Sequence, residues 1–337
     1  MKRTVAFSKN ATNLFFHILT RCNLRCRHCY INPAQHGRES LPLATIERWL
    51  ALFADKSPTA NVIFLGGEPT LHPELAQAVQ SARRLGYASV TIDTNGYLFN
   101  DILGRVTPAE VDYFSFSLDG ASAPVNDRIR GAGSYAACTA GIRKAVKAGF
   151  GASLIFTVSR DNINELPQMP PLLQALGVER FFIQVIGLRG QSAREAGGAR
   201  DPGGPQVSRQ EWCETVPAVA ERAAALGITV TYPKVFLDPG EPFACAGRVA
   251  CNYFVFPNGR VYRCPLCEDY PLHSLTIGDD GLRETGGINE AALFQLDIPE
   301  GCVMNKLIQP GNLAYDAAGR PRYRVACCLL KEELRAD

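Results

Sequence analysis

The chain lacks a long apolar run, a lopsided charge and an export signal. Its longest apolar stretches, such as 181–188, are strand-sized and broken by Gln184, too short to cross a bilayer. Basic residues number 35 and acidic residues 33, a formal charge of +2, so neither nucleic acid nor an anionic membrane is expected as the main partner. Lys2 and Arg3 stand near the N-terminus, but the apolar run 14–19 contains His17 and gives no signal peptide. Without export, the 12 cysteines predict metal ligands in a reducing cytosol rather than a disulfide framework.

What is present is a repeating unit. Leu85-Gly86, Ala148-Gly149, Leu176-Gly177 and Leu226-Gly227 each end a helical pattern just before a short apolar strand, at 88–93, 152–158, 180–186 and 229–232. Glycine takes the left-handed conformation that closes a helix, so these are βα units. A helix beginning at Pro73 carries Leu75, Val79, Ala82 and Leu85 at near-helical spacing. Stretches 14–19, 62–65, 90–93, 113–118, 154–158 and 181–186 read as near-continuous apolar strands of a parallel sheet. The predicted fold class is α/β, a partial (β/α)6 barrel with a small cysteine-rich C-terminal domain. Ligands of such sheets sit at the carboxyl ends of the strands. The glycine- and arginine-rich segment 187–205 reads as a surface loop, with an active-site lid as the alternative. From Tyr232 onward periodicity fades and seven cysteines gather (Cys245, Cys251, Cys264, Cys267, Cys302, Cys327 and Cys328), which puts the domain limits at 1–232 and 233–337.

Chemistry concentrates in Cys22-x3-Cys26-x2-Cys29, three thiols without a local fourth. A zinc site or buried thiols would be the plain alternative, but structural zinc wants a complete tetrahedral set, whereas a four-iron cluster on three thiolates keeps one iron open. After the second predicted strand comes Gly66-Gly67-Glu68-Pro69-Thr70, in which glycines let a ligand approach the backbone and Glu68 can pair with an ammonium group. Alone, this segment could be an ordinary strand-to-helix turn.

Together the two segments resemble the radical SAM superfamily in its cysteine signature and GGEP motif. That resemblance continues through Asp93-Thr94-Asn95-Gly96, Ser115 to Gly120 and Asn126 to Gly131. It implies a 4Fe-4S cluster on Cys22, Cys26 and Cys29, with S-adenosylmethionine bound at its open iron. Gly66, Gly67, Glu68 and Pro69 would hold the methionine amino group, Thr94 and Ser117 the ribose or methionine moiety, and Arg130 a carboxylate. His28 occupies a position near the adenine that is usually aromatic in the family. Read bottom-up, Asn95-Gly96 and Asp119-Gly120 are turn formers and His28 a surface histidine.

The spacing Cys245-x13-Gly259-x4-Cys264 is similar to the SPASM and twitch extensions that carry auxiliary iron-sulfur clusters. The full C-x2-C-x5-C-x3-C block is absent. One auxiliary cluster on Cys245, Cys251, Cys264 and a later cysteine is expected, with Cys267, Cys302, Cys327 and Cys328 open to a second; zinc or uncomplexed thiols remain the alternative. Cys138 and Cys213 read as core packing. The resemblance implies an oxidoreductase-type or modifying enzyme that draws electrons from a flavodoxin- or ferredoxin-type donor. Its substrate would be a peptide or protein side chain, or alternatively a small molecule of tetrapyrrole or molybdopterin-precursor type; a non-catalytic iron-sulfur or zinc protein is the distant option. The short stretch before residue 14 leaves no room for a fused leader-peptide-binding domain, so such recognition is expected from a separate chain.

Overall fold

In a computed structural model, which describes residues 2–5, 11–56, 59–195, 204–249, 251–326 and 328–335, the βα repeat becomes a run of parallel strands. Strand β1 is Lys2–Val5. The parallel run comprises β2 (Ala11–His17), β3 (Thr59–Leu65), β4 (Ser89–Thr94), β5 (Tyr113–Ser117), β6 (Ala152–Val158), β7 (Arg180–Val185) and β8 (Thr229–Pro233), each paired with the next. Next come β9 (Phe236–Leu237), β10 (Cys251–Val255), β11 (Arg260–Tyr262), β12 (Leu275–Gly278), β13 (Gly281–Glu284), β14 (Arg324–Val325) and β15 (Lys331–Leu334). The six near-continuous apolar strands and the strand predicted at 229–232, here β8, make seven, and β10 adds an eighth by lying parallel to β2.

Among the described residues the sheet has 13 strands in the order β1-β15-β8-β7-β6-β5-β4-β3-β2-β10-β11-β12-β13. The predicted boundary near residue 233 coincides with the end of β8, yet the sheet continues past it. Residues after 233 extend one edge through β10 and return to the other through β15, which pairs antiparallel with β8 and β1. At the β2 edge, Phe15 stacks on Phe254 at 4.4 Å, and Phe256 is sandwiched between His17 at 4.0 Å and His36 at 3.8 Å.

Each strand has two different faces. Leu14, Phe16, Val62, Phe64, Val90, Ile92, Phe114, Phe116, Leu154 and Phe156 are fully buried on one side, worth ~1.5–3 kcal/mol per side chain. Opposite them, His17, Asp93, Ser117, Thr157 and Gln184 line a cavity. The runs that looked uniformly apolar are thus interrupted by inward polar residues, because this side meets a cavity rather than a helix layer. Gly86, Gly149, Gly177 and Gly227 take φ of 82°, 85°, 73° and 85°, as the repeat predicts. The helix Leu75–Arg84 begins two residues after Pro73, and Arg83 in its last turn donates to the Glu110 and Tyr87 carbonyls at 2.7 and 3.1 Å.

One packing contact holds the turn after β4 in place. Gly141, on the helix Ser134–Lys147, lies against the Gly96 backbone so closely that a Cβ there would come within 2.2 Å of the Gly96 carbonyl oxygen. Gly96 itself has φ +90°. On an open helix, Gly→Ala would stabilise by up to about 1 kcal/mol. Here Gly141→Ala should instead cost about 2 kcal/mol through overpacking, read as a lower urea midpoint with an unchanged m-value.

Candidate functional site

The loops after β2, β3, β4 and β5 converge on a cavity of about 320 Å³. Its wall includes Cys22, Cys26, Cys29, His28, Gly66, Gly67, Pro69, Thr94, Ser117 and Arg130, so most of the predicted cofactor residues meet in one place. The glycines owe their position to the cysteine loop itself. A Cβ on Gly66 would lie 2.6 Å from the Leu19 carbonyl oxygen, and one on Gly67 would lie 2.3 Å from that of Arg21. Backbone bonds from Gly67 to Leu19 (3.1 Å) and from Glu68 to Arg21 (3.0 Å) fasten the two loops together.

Glu68 is 0% exposed, and protein donors engage both carboxylate oxygens. Thr70 N, Thr70 Oγ1 and Thr94 Oγ1 donate to Oε1 at 3.1, 2.6 and 2.8 Å, while Asn95 N donates to Oε2 at 2.7 Å. Burial raises its pKa against the pull of these bonds. Glu68 thus clamps the β3 and β4 loops, with a single protein donor on Oε2 leaving acceptor capacity for the ammonium group that the sequence suggests. Thr94 is corrected in part, since it lines the cavity but its hydroxyl proton is spent on Glu68.

A second buried carboxylate, Asp119, organises the opposite wall. It pairs with His28 Nε2 and Arg130 Nε, each at 2.6 Å, and Oδ1 accepts from Thr157 N at 2.7 Å. Burial alone would raise its pKa, but the Arg130 charge and the His28 contacts pull it down to about 2. Arg130, expected to meet a ligand carboxylate, already has a carboxylate partner. His28 is not a loose surface ring either, and among the described residues its buried Nδ1 has no hydrogen-bond partner. The Asp119-Gly120 turn was visible in the sequence, but its bond to His28, 91 positions away, was not.

The three thiols line one wall of the cavity. Burial raises the pKa of Cys22 to about 11 and of Cys26 to about 12, so without a metal they stay protonated. Leu24 N at 3.4 Å and Asn95 Nδ2 at 3.8 Å both point at the Cys22 sulfur, donors suited to a ligating thiolate. Among the described residues no three His, Cys, Asp or Glu side chains converge tightly enough for one ion. Three thiols sharing a cavity wall fit a larger, multi-iron body better than a single zinc.

Beside Cys29, Tyr30 donates its hydroxyl proton to His17 Nε2 at 2.7 Å. This follows because His17 Nδ1 faces the Val255 carbonyl at 3.0 Å and must donate to it. Burial keeps this imidazole neutral, with its pKa lowered to about 3. Sequence reasoning missed Tyr30, His17 and Asn95 as site residues; Tyr30 carried a local signal in its place next to Cys29, and Asn95 in its place within Asp93-Thr94-Asn95-Gly96, where it was read as a turn former.

Of the C-terminal cysteines, Cys245, Cys264, Cys267, Cys302 and Cys328 gather in a second core with Phe254, Phe256, Tyr262 and Phe294. Cys251 does not join them. It is exposed at the first position of β10, because pairing with β2 fixes that end beside Thr12. Of the expected set Cys245, Cys251 and Cys264, the structure brings Cys245 and Cys264 into this core and leaves Cys251 exposed. Cys327 lies outside the described residues, as do residues 196–203 of the glycine-rich loop. Cys328 lines the cavity that the first three cysteines share. Cys138 is core, as read, whereas Cys213 is exposed because the helix Arg209–Ala225 turns Trp212 inward instead.

The Asp119 pair predicts a linked loss of stability. Its depressed pKa contributes stability present above about pH 4, lost as pH falls toward about 2. Asp119→Asn should cost about 3 kcal/mol at neutral pH and flatten the acid limb between pH 4 and 2, measured by urea unfolding across pH.

Comparison with known proteins agrees with this geometry. The family model described as the radical SAM superfamily matches residues 16–169. PqqA peptide cyclase of Gluconobacter oxydans is 30% identical over 266 residues, covering 77% of this chain and 71% of the relative. Pre-heme d1 synthase of Dinoroseobacter shibae is 29% identical over 186 residues, but the match covers 55% of this chain and 46% of that protein. The crystal structure of Streptococcus suis SuiB superposes with a TM-score of 0.58 at 14% identity, covering 87% of this chain and 66% of SuiB, a likeness of fold. The chain thus spans less than half of one of these relatives and about two thirds of SuiB. Fold, cysteine loop and sequence likeness together place the chain in the radical SAM superfamily, whose members use a 4Fe-4S cluster and S-adenosylmethionine.

Proposed function

We propose that this protein is a radical SAM enzyme that abstracts hydrogen from a peptide or protein side chain and holds an auxiliary iron-sulfur cluster in its C-terminal extension. The carrying observation is the single cavity bounded by Cys22, Cys26 and Cys29 on one wall and by Cys328 on another. Bound there, S-adenosylmethionine and a reduced cluster would supply the one-electron chemistry that yields methionine and a 5'-deoxyadenosyl radical. The protein's own work is to position and to exclude water.

Cys22, Cys26 and Cys29 hold the first cluster in this reading. Gly66 and Gly67 leave backbone room for the methionine end of the cosubstrate. Pro69, Thr94, Ser117, His28 and Arg130 shape its remaining walls. The auxiliary ligands come from Cys245, Cys264, Cys267, Cys302 and Cys328, whose convergence in one core supports a cluster. Asp93 faces the cavity with its pKa raised to about 7 by burial, despite a Ser115 hydrogen bond, and is placed to meet the substrate. A flavodoxin- or ferredoxin-type protein would deliver the electron.

The peptide reading draws on the likeness to PqqA peptide cyclase, which runs through 77% of the chain and so reaches the extension. A tetrapyrrole substrate is the second reading, favoured by the shorter match to pre-heme d1 synthase. No helix among the described residues is long and apolar enough to cross a membrane.

Anaerobic reconstitution should give S-adenosylmethionine-dependent 5'-deoxyadenosine, abolished in Cys26→Ala; wild-type protein that forms none would overturn the reading. Cys264→Ala and Cys267→Ala should keep that cleavage and lose the auxiliary iron, counted as iron and sulfide per chain. Candidate peptides and tetrapyrroles compared by the increase in 5'-deoxyadenosine would separate the two substrate classes.

A further inference from the structure

Between the two groups of cysteines runs a strap, residues 187–192, which touches both. On one side Gly190, at φ +58°, lies so close that a Cβ would meet the Tyr30 and Cys29 carbonyl oxygens at 2.5 and 2.6 Å. Gln191 N donates to the Cys29 carbonyl at 2.7 Å. On the other side Gly190 N donates to Asp269 Oδ2 at 3.1 Å, and Asp269 Oδ1 accepts from Asn32 at 2.6 Å. The strap therefore ties the loop of Cys29 to the segment that follows Cys264 and Cys267.

Its one charged side chain sits between them. The Arg189 guanidinium lies 4.9 Å over the Tyr30 ring, donates to the Pro265 carbonyl at 2.5 Å and forms an ion pair with Glu268. Glu268 is itself buried, with its backbone carbonyl accepting from His36 Nε2 at 2.7 Å. Pro265 lies within the Cys264-x2-Cys267 pair, Glu268 follows it, and Tyr30 follows Cys29 directly. Both charged residues line the shared cavity. The Arg189 charge acts on Cys29 on one side and is felt with Cys264 and Cys328 on the other.

We propose that the Arg189–Glu268 pair, a half-buried cation on a buried carboxylate, is an electrostatic coupler shared by the two iron-sulfur sites, so that one ion pair sets both reduction potentials. The inference rests on the two-cluster reading given above. Reduction adds negative charge to a cluster, which a near cation favours and a near carboxylate opposes, and the low dielectric of a buried site strengthens both effects. Arg189 and Glu268 are positioning residues in this scheme and neither ligates iron.

The test is a redox titration of the full, anaerobically reconstituted chain, followed by electron paramagnetic resonance without S-adenosylmethionine. Glu268→Gln should move both midpoints to more positive potential, Arg189→Gln should move both to more negative potential, and Arg189→Lys should stay near wild type. Two clusters of which only one responds, or neither, would overturn the coupling and leave the enzyme reading intact. Iron and sulfide for one cluster alone in the wild type would overturn the two-cluster reading and the coupling with it.

Discussion

A carboxylate sealed from water must be saturated by donors, and this constraint holds the site together. Glu68 and Asp119 are both 0% exposed and both sit in the loops at the carboxyl ends of strands. Loops there have no ladder to satisfy their backbone, so a buried acid becomes the point to which several of them attach. Glu68 gathers Thr70, Thr94 and Asn95, and Asp119 gathers His28, Arg130 and Thr157. Between the two lies the cysteine loop, bonded to the Gly66-Gly67 turn on one side and, through Arg27 N, to the Ile129 carbonyl at 2.9 Å on the other. The three thiols need no regular secondary structure of their own because their neighbours are fixed.

This arrangement explains why motifs of unlike chemistry belong together. Glycines admit the backbone of the cysteine loop, a glutamate locks the turn that carries them, and a threonine and an asparagine from the next strand complete that lock. A ligand in the cavity then meets a preorganised wall. The C-terminal extension adds its wall by the same logic, since the neutral His17, Phe256 and His36 stack across the seam and Tyr30 is oriented by His17.

Features set by neighbours in the chain were legible in the sequence. The βα repeat, the glycine stops, the cysteine spacing and the turn after the second predicted strand all depend on local periodicity or local backbone geometry. Partners joined across the fold were not. The bond from Thr94 to Glu68 spans 26 positions and that from His28 to Asp119 spans 91, and nothing in either residue's surroundings announces the other. The exposure of Cys251 was illegible for the same reason, because it follows from β10 docking beside β2 rather than from its spacing to Cys245. Gln184, on the inner face of its strand, looked like an interruption until the cavity it faces was located.

The pairing of β15 with β1 and β8 has a kinetic side. Lys2 stands opposite Leu334 in that ladder, so the contact joins the extremes of the described chain. Ring closure over such a span is entropically the dearest in the molecule and belongs late in any folding sequence. Cys328 and Lys331 sit at the entry to that strand and supply part of the cavity wall. The cavity wall is therefore complete only once this closing strand is docked against β8.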